Sequence, residues 1–185
     1  MGRILTLTIA LVLLGCDKDQ CEFEASSAII GEIELHAVDY EGYNEISLLA
    51  QHNQIAHNKY ALWLEVTPEF IAEFGSDGGT SISCDMGQIP LAVEIESISF
   101  RTLKAYNEAY LSGADMTDRF VFMTKEGSRS LSDVQMNEDF VNSYYLFFKC
   151  EEIPEPNNLV SFEVTLKMKN GAGYVLESVP VFISN

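Results

Sequence analysis

The sequence predicts an all-β fold: an antiparallel β-sandwich, immunoglobulin-like in outline, with at most one or two short helices. Three observations predict it. From residue 31 onward the apolar residues recur with a period of two, as in strands with one face on a core and the other in water. The chain breaks into roughly seven or eight short runs of this kind, separated by polar stretches carrying Gly, Pro, Asn and Asp. Helical periodicity is scarce. A closed barrel is the alternative arrangement of the same strands.

Taken in order, Ile33-Glu-Leu35-His-Ala37 alternates and continues through Val38 and Tyr40. Tyr60-Ala-Leu62-Trp-Leu64-Glu-Val66 alternates throughout. Thr67-Pro68-Glu69 reads either as the cap and first turn of a two-turn helix, with Phe70, Ile71 and Phe74 as its apolar face, or as more of the same strand. Leu91-Ala-Val93-Glu-Ile95 alternates, after which the phase slips to Ile98 and Phe100, predicting a β-bulge or a change of sheet. Residues 102–118 are turn-rich and read as a long connection, and Ser132 to Met136 as a single helical turn. The apolar run Tyr144 to Lys149 ends at Cys150, expected as a strand-end thiol in the core. Glu151 to Asn158, with Pro154 and Pro156, is a turn.

Val160-Ser-Phe162-Glu-Val164-Thr-Leu166-Lys-Met168 is the clearest alternation. Asn170-Gly171 after it marks a hairpin, because both residues tolerate positive φ, and Ala172-Gly173 lengthens its loop or adds a bulge. The final segment runs from Tyr174 through Ile183. Pro180 cannot donate to a ladder, so this last strand is expected at an edge or with its proline outward.

Composition sets the class. The 185 residues fit one domain, and 47% hydrophobic with 21% charged residues is a globular balance. Eleven Lys+Arg against 28 Asp+Glu give a net charge of −17. Nucleic-acid binding needs clustered Lys and Arg, so this balance argues against it, and equally against charge-driven docking on anionic headgroups.

The N-terminus reads as an address. Arg3 supplies a basic start, and Ile4 to Leu14 is uncharged. That run is too short to span a bilayer, which takes about 20 apolar residues, and it fits the core of a secretory signal. It ends Leu13-Leu14-Gly15-Cys16, which resembles the bacterial lipobox. The resemblance implies cleavage after Gly15 and acylation of the Cys16 sulfur, and two or more acyl chains anchor stably. Asp17-Lys18-Asp19-Gln20 resembles the surface-export signal of lipoproteins from Bacteroidetes-type bacteria. In enterobacteria, an Asp directly after the Cys would instead resemble an inner-membrane retention signal. The expected organisation is a signal peptide at 1–15, a lipidated tether at 16–30 and one β-sandwich domain at 31–185. The expected location is the outer membrane, facing the cell surface, with its periplasmic face as the alternative.

Cys21, Cys84 and Cys150 remain after lipidation, in a compartment that permits disulfides. The favoured pair is Cys21 with Cys84, stapling the tether to the domain, since Cys150 belongs to the core. Three free thiols are the alternative. No CxxC pair is present, and the spacings match no zinc pattern.

Catalytic motifs are absent: there is no GxSxG, HExxH or GxxxxGK[ST]. His36, His52 and His57 read as surface histidines. Regular structure does not bring His52 and His57 to one metal, because a strand points them to opposite faces. Asp77, Asp115 and Asp118 sit in Gly-containing loops that could offer oxygens to calcium, but the EF-hand ladder is missing and such loops usually satisfy their own backbone. No pair of acids stands out as glycosidase-like. Trp63 falls on the face opposite Leu62 and Leu64, so it either points outward, where it could stack on a sugar or a partner, or marks a strand buried on both sides.

The segment from Cys84 to Asn185 resembles a family of uncharacterised lipoproteins from Bacteroidetes-type bacteria. Ile95-Glu-Ser-Ile98-Ser-Phe100, Ala105-Tyr-Asn107, Gly113-Ala-Asp115-Met-Thr-Asp118-Arg-Phe120, Tyr145-Leu-Phe-Phe148, Ile153-Pro154 and Phe162-Glu-Val-Thr-Leu166 up to Gly171 carry the resemblance. It implies a lipid-anchored domain with no transferable functional residue except Cys16. The expected function is a non-catalytic binding or accessory module, with no cofactor, engaging a glycan or another envelope protein. A calcium-dependent or enzymatic protein with a loop-assembled site is the alternative.

Overall fold

The computed structural model describes residues 28–42, 45–70, 95–133 and 145–184. Twelve strands account for most of them, with two single 3₁₀ turns at Thr117–Arg119 and Leu131–Asp133 and no α-helix. Cys16, Cys21, Asp77 and Cys84, with the signal peptide and most of the tether, lie outside the described residues.

Six strands make the larger sheet: β1 (Ala28–Gly42), β2 (Glu45–Leu48), β4 (Tyr60–Phe70), β6 (Phe120–Thr124), β7 (Gly127–Ser130) and β8 (Tyr145–Cys150), in the order β2-β1-β4-β8-β6-β7. A second sheet pairs β5 (Ile95–Thr102), β10 (Phe162–Met168) and β11 (Gly173–Glu177) in the order β11-β10-β5. A third orders β3 (Gln54–Ala56), β12 (Val181–Ser184) and β9 (Asn158–Val160) as β3-β12-β9. All pairings are antiparallel except β3 with β12. The sheets are open and do not close into a barrel, consistent with a sandwich.

The core lies where the inner faces meet. Leu62, Leu64 and Val66 of β4, Leu146 and Phe148 of β8, and Phe120 and Phe122 of β6 are buried from one side. Phe100 of β5 and Phe162, Val164 and Leu166 of β10 are buried from the other. Rings lock the two together. Phe100 stacks on Phe120 with centroids 4.0 Å apart, and meets Phe148 edge-on at 5.1 Å. Phe162 stands edge-on to Phe120 at 5.0 Å. Offset and edge-on pairs of this kind add about 0.5–1.5 kcal/mol beyond their burial. Ile55, Val160, Val181 and Ile183 of the third sheet join the same cluster. Cys150, a free thiol at the end of β8, is buried in it, where the sequence places it.

Local irregularities have local causes. At the phase slip, Lys167 pairs with Ser97 but Met168 pairs with Ile95, so the slip is a bulge at Glu96. Thr67-Pro68-Glu69 continues β4 as strand rather than starting a helix. Pro68 has no N–H to give, and the β1–β4 register shifts there: Ile30 pairs with Pro68 and Glu32 with Thr67, skipping Gly31. The segment Tyr174 to Ile183 is two strands in different sheets. Ser178 ends the first: its N–H donates to the Phe162 carbonyl and its Oγ accepts the Phe162 N–H, both at 2.9 Å. Pro180 precedes β12 instead of lying in it, so β12 keeps every donor and is the middle strand of its sheet, not an edge.

Candidate functional site

The outer face of the six-stranded sheet departs from the polar surface that alternation predicts. In β1 the inner residues are Leu35 and Ala37, which puts Glu34, His36, Val38 and Tyr40 outside. In β4 the same parity puts Ala61, Trp63 and Glu65 outside, and in β8 Tyr145 and Phe147. The register aligns these residues in rows. Glu34 pairs with Glu65, which pairs with Tyr145. His36 pairs with Trp63, which pairs with Phe147. Val38 pairs with Ala61, and both are buried.

The second row is aromatic across three strands. Trp63 stacks on Phe147 at 5.9 Å and 27°, lies 5.2 Å from the His36 ring, and meets Tyr145 edge-on at 6.1 Å. Tyr40 approaches Phe147 at 5.4 Å. Phe147 is buried, Trp63 is half-buried and Tyr145 is 43% exposed, so the cluster opens toward Tyr145. Trp63 is therefore an outward residue in a strand packed on both faces. Its Nε1 has no hydrogen-bond partner among the described residues, leaving one buried donor unspent.

The first row is charged. His36 Nε2 lies 3.3 Å from Glu34 Oε2 and 3.6 Å from Glu65 Oε2. The side chains of Glu34, His36 and Glu65 are 53%, 24% and 34% exposed, so solvent reaches all three. Among the described residues they are the one set of three His, Cys, Asp or Glu side chains whose ligand atoms lie within 4.8 Å of one another. His36 is thus part of a polar cluster and not a lone surface histidine. Glu34-x-His36 on one strand face was visible in the sequence; Glu65 was not, since its place depends on the β1–β4 register.

The other sequence candidates are placed differently. Asp115 and Asp118 line a cleft of about 780 Å³ with Glu96, Thr117, Ser130 and Ser132, above Ile98 and Phe120. Asp115 serves its own turn: Oδ1 accepts the Thr117 N–H at 2.9 Å and the Thr117 hydroxyl at 2.7 Å, which holds its carboxyl below the usual carboxylate range. Thr117 Oγ in turn accepts the Phe100 N–H at 3.0 Å, pinning the loop to β5. Asp118 points its carboxylate at Arg119, 3.7 Å away. No third ligand joins them among the described residues. Among the described residues His52 and His57 flank β3, the first with its ring 6.1 Å from Phe182, the second with a buried Nε2 that has no hydrogen-bond partner there, and they do not join His36.

Among the described residues no helix is long and apolar enough to cross a membrane. No protein-family profile, curated protein or solved structure matches the chain.

Proposed function

We propose that this protein is a lipid-anchored envelope protein, akin to the lipoproteins of Bacteroidetes-type bacteria, whose β-sandwich binds a neutral glycan on the outer face of its six-stranded sheet. The observation that carries the reading is the pair of rows on that face: an aromatic row centred on Trp63 beside a row of Glu34, Glu65 and the exposed Tyr145. A sugar ring has an apolar C–H face and hydroxyl edges. The first suits an aromatic surface, and the second donates to carboxylates, so one ligand uses both rows. A net charge of −17 repels anionic polymers and leaves neutral ones. The module is non-catalytic on this reading. Cys16 holds it in the outer membrane by acyl chains, facing the cell surface, where a polysaccharide-binding face meets its ligand.

Native electrophoresis through gels containing neutral polysaccharides tests the binding. The wild type is retarded by at least one of them, and Trp63→Ala and Tyr145→Ala restore free mobility. Unretarded wild type across a broad panel contradicts the glycan reading. Protease shaving of intact cells tests the location: digestion without breaking the outer membrane supports the surface, and protection until it is broken places the domain on the periplasmic face.

A further inference from the structure

We infer that Glu34, His36 and Glu65 form a divalent transition-metal site, with zinc as the ion that fits it. The inference rests on the geometry of these three side chains and not on the glycan reading. Residues i and i+2 of one strand share a face, and a register partner on the next strand completes a triangle of side chains. Here Glu34 and His36 supply the first two corners and Glu65, directly opposite Glu34, the third. A tetrahedral zinc bound at about 2.0–2.2 Å has ligand atoms separated by about 3.3–3.6 Å. The two separations from His36 Nε2, 3.3 and 3.6 Å, match that edge. The two carboxylate oxygens lie within 4.8 Å of each other.

The donor chemistry selects the ion. One imidazole nitrogen with two carboxylates suits zinc and its neighbours, whereas calcium takes six to eight oxygens and has no use for the nitrogen. The charge balance agrees. Two carboxylates directly across a strand pair repel. With a neutral imidazole between them the site carries two negative charges, which a divalent cation cancels. Three protein ligands leave the fourth position to water or to a ligand oxygen, as in open zinc sites. The site lies one row from Trp63, and Glu65 is the register partner of the exposed Tyr145.

The test uses the protein purified in detergent without a polyhistidine tag, stripped with chelator, and titrated with zinc chloride alone by calorimetry. Saturable binding of one zinc per chain is expected. His36→Ala and Glu65→Gln each weaken it by at least about tenfold, while Glu126→Gln, at the β6–β7 turn, leaves it unchanged. Cobalt in the same site is expected to give the intense visible absorption of tetrahedral coordination, absent in His36→Ala. Metal-free circular dichroism and melting curves of the variants that match wild type exclude misfolding as the cause of any loss. No saturable zinc binding, or binding that His36→Ala leaves unchanged, overturns the inference. Saturable calcium binding that depends on Glu34 and Glu65 but not on His36 overturns it as well. Polysaccharide retardation that persists in His36→Ala leaves the glycan reading standing when the metal site fails.

Discussion

Glu34 and Glu65 are register partners on β1 and β4, so two carboxylates face one another across adjacent strands in a chain whose net charge is already −17. Like charges directly opposite destabilise a strand pair, and net charge far from zero strains the folded state. Salt should therefore stabilise this protein when no metal is bound. Between about 0.01 M and 1 M salt the screening length shrinks from about 30 Å to about 3 Å. The melting temperature of the chelated protein is expected to rise with sodium chloride, and to rise less in Glu65→Gln. A melting temperature that falls with salt would contradict this account of the charge.

The contact between the six-stranded sheet and the β11-β10-β5 sheet depends on the Phe100–Phe120 stack. Its centroids are 4.0 Å apart, and both rings are buried. Phe100→Ala removes a ring that also touches Phe148 and leaves a cavity between sheets. The expected loss is about 3–5 kcal/mol in urea unfolding. A volume-conserving Phe100→Met should cost less, and a loss below about 1 kcal/mol for the alanine variant would show that the stack does not join the sheets.

Burial pushes the Cys150 thiol up to about 11, from 9.0 for a free thiol. Native Cys150 should therefore react with iodoacetamide far more slowly at neutral pH than it does after unfolding. The same shift has a sign for stability. Below pH 9 the thiol is protonated in both states and its contribution is intact. As pH rises toward 11 the unfolded chain releases its proton first, and stability falls by about 2–3 kcal/mol. Burial also raises the hydroxyl pKa of Tyr60 and Tyr106, so these tyrosines extend the alkaline loss to higher pH. Cys150→Ala should flatten the first part of the decline, as read from urea midpoints between pH 8 and 11.

Gly171 closes the β10–β11 hairpin at φ 87, and a Cβ there would meet nothing within 4 Å. The cost of Gly171→Ala is thus backbone strain alone, about 1–2 kcal/mol. Gly173, whose φ is ordinary, should tolerate alanine at smaller cost, provided the Leu166 carbonyl 3.6 Å from its Cβ position stays in place. Equal losses at the two positions, measured by chemical denaturation, would contradict the assignment.

The parts of the fold visible in the sequence are those where alternation and turn chemistry agree. Val160 to Met168 shows both, with Asn170-Gly171 after it; Phe162–Met168 and its hairpin are where they are expected, but Val160 lies beyond a break at Ser161 and belongs to β9 in the third sheet. The slip before Ile98 is one bulge at Glu96. Thr67-Pro68-Glu69 carries the local marks of a helix start, and only the pairing with β1 makes it strand. Pro180 suggested an edge because its offset from β12 by one residue is not a property of the local pattern. Short strands such as β3 and β9 have three residues each, too few to show any period. The site was half legible for the same reason. Glu34-x-His36 and Trp63 are visible one strand at a time, but the rows that join them to Glu65, Tyr145 and Phe147 exist only through register.

Trp63 is the single tryptophan of the chain, so its fluorescence reports on the proposed binding face and nothing else. The decisive measurement is a titration of the purified protein with the neutral polysaccharide that retards it in gels, following tryptophan emission. The account predicts a saturable change in intensity and wavelength, at the concentrations that cause retardation, as the ligand covers the Trp63–Tyr145 edge. Retardation with an unchanged Trp63 spectrum, and with full binding retained in Trp63→Ala, would contradict it by placing the ligand elsewhere on the molecule.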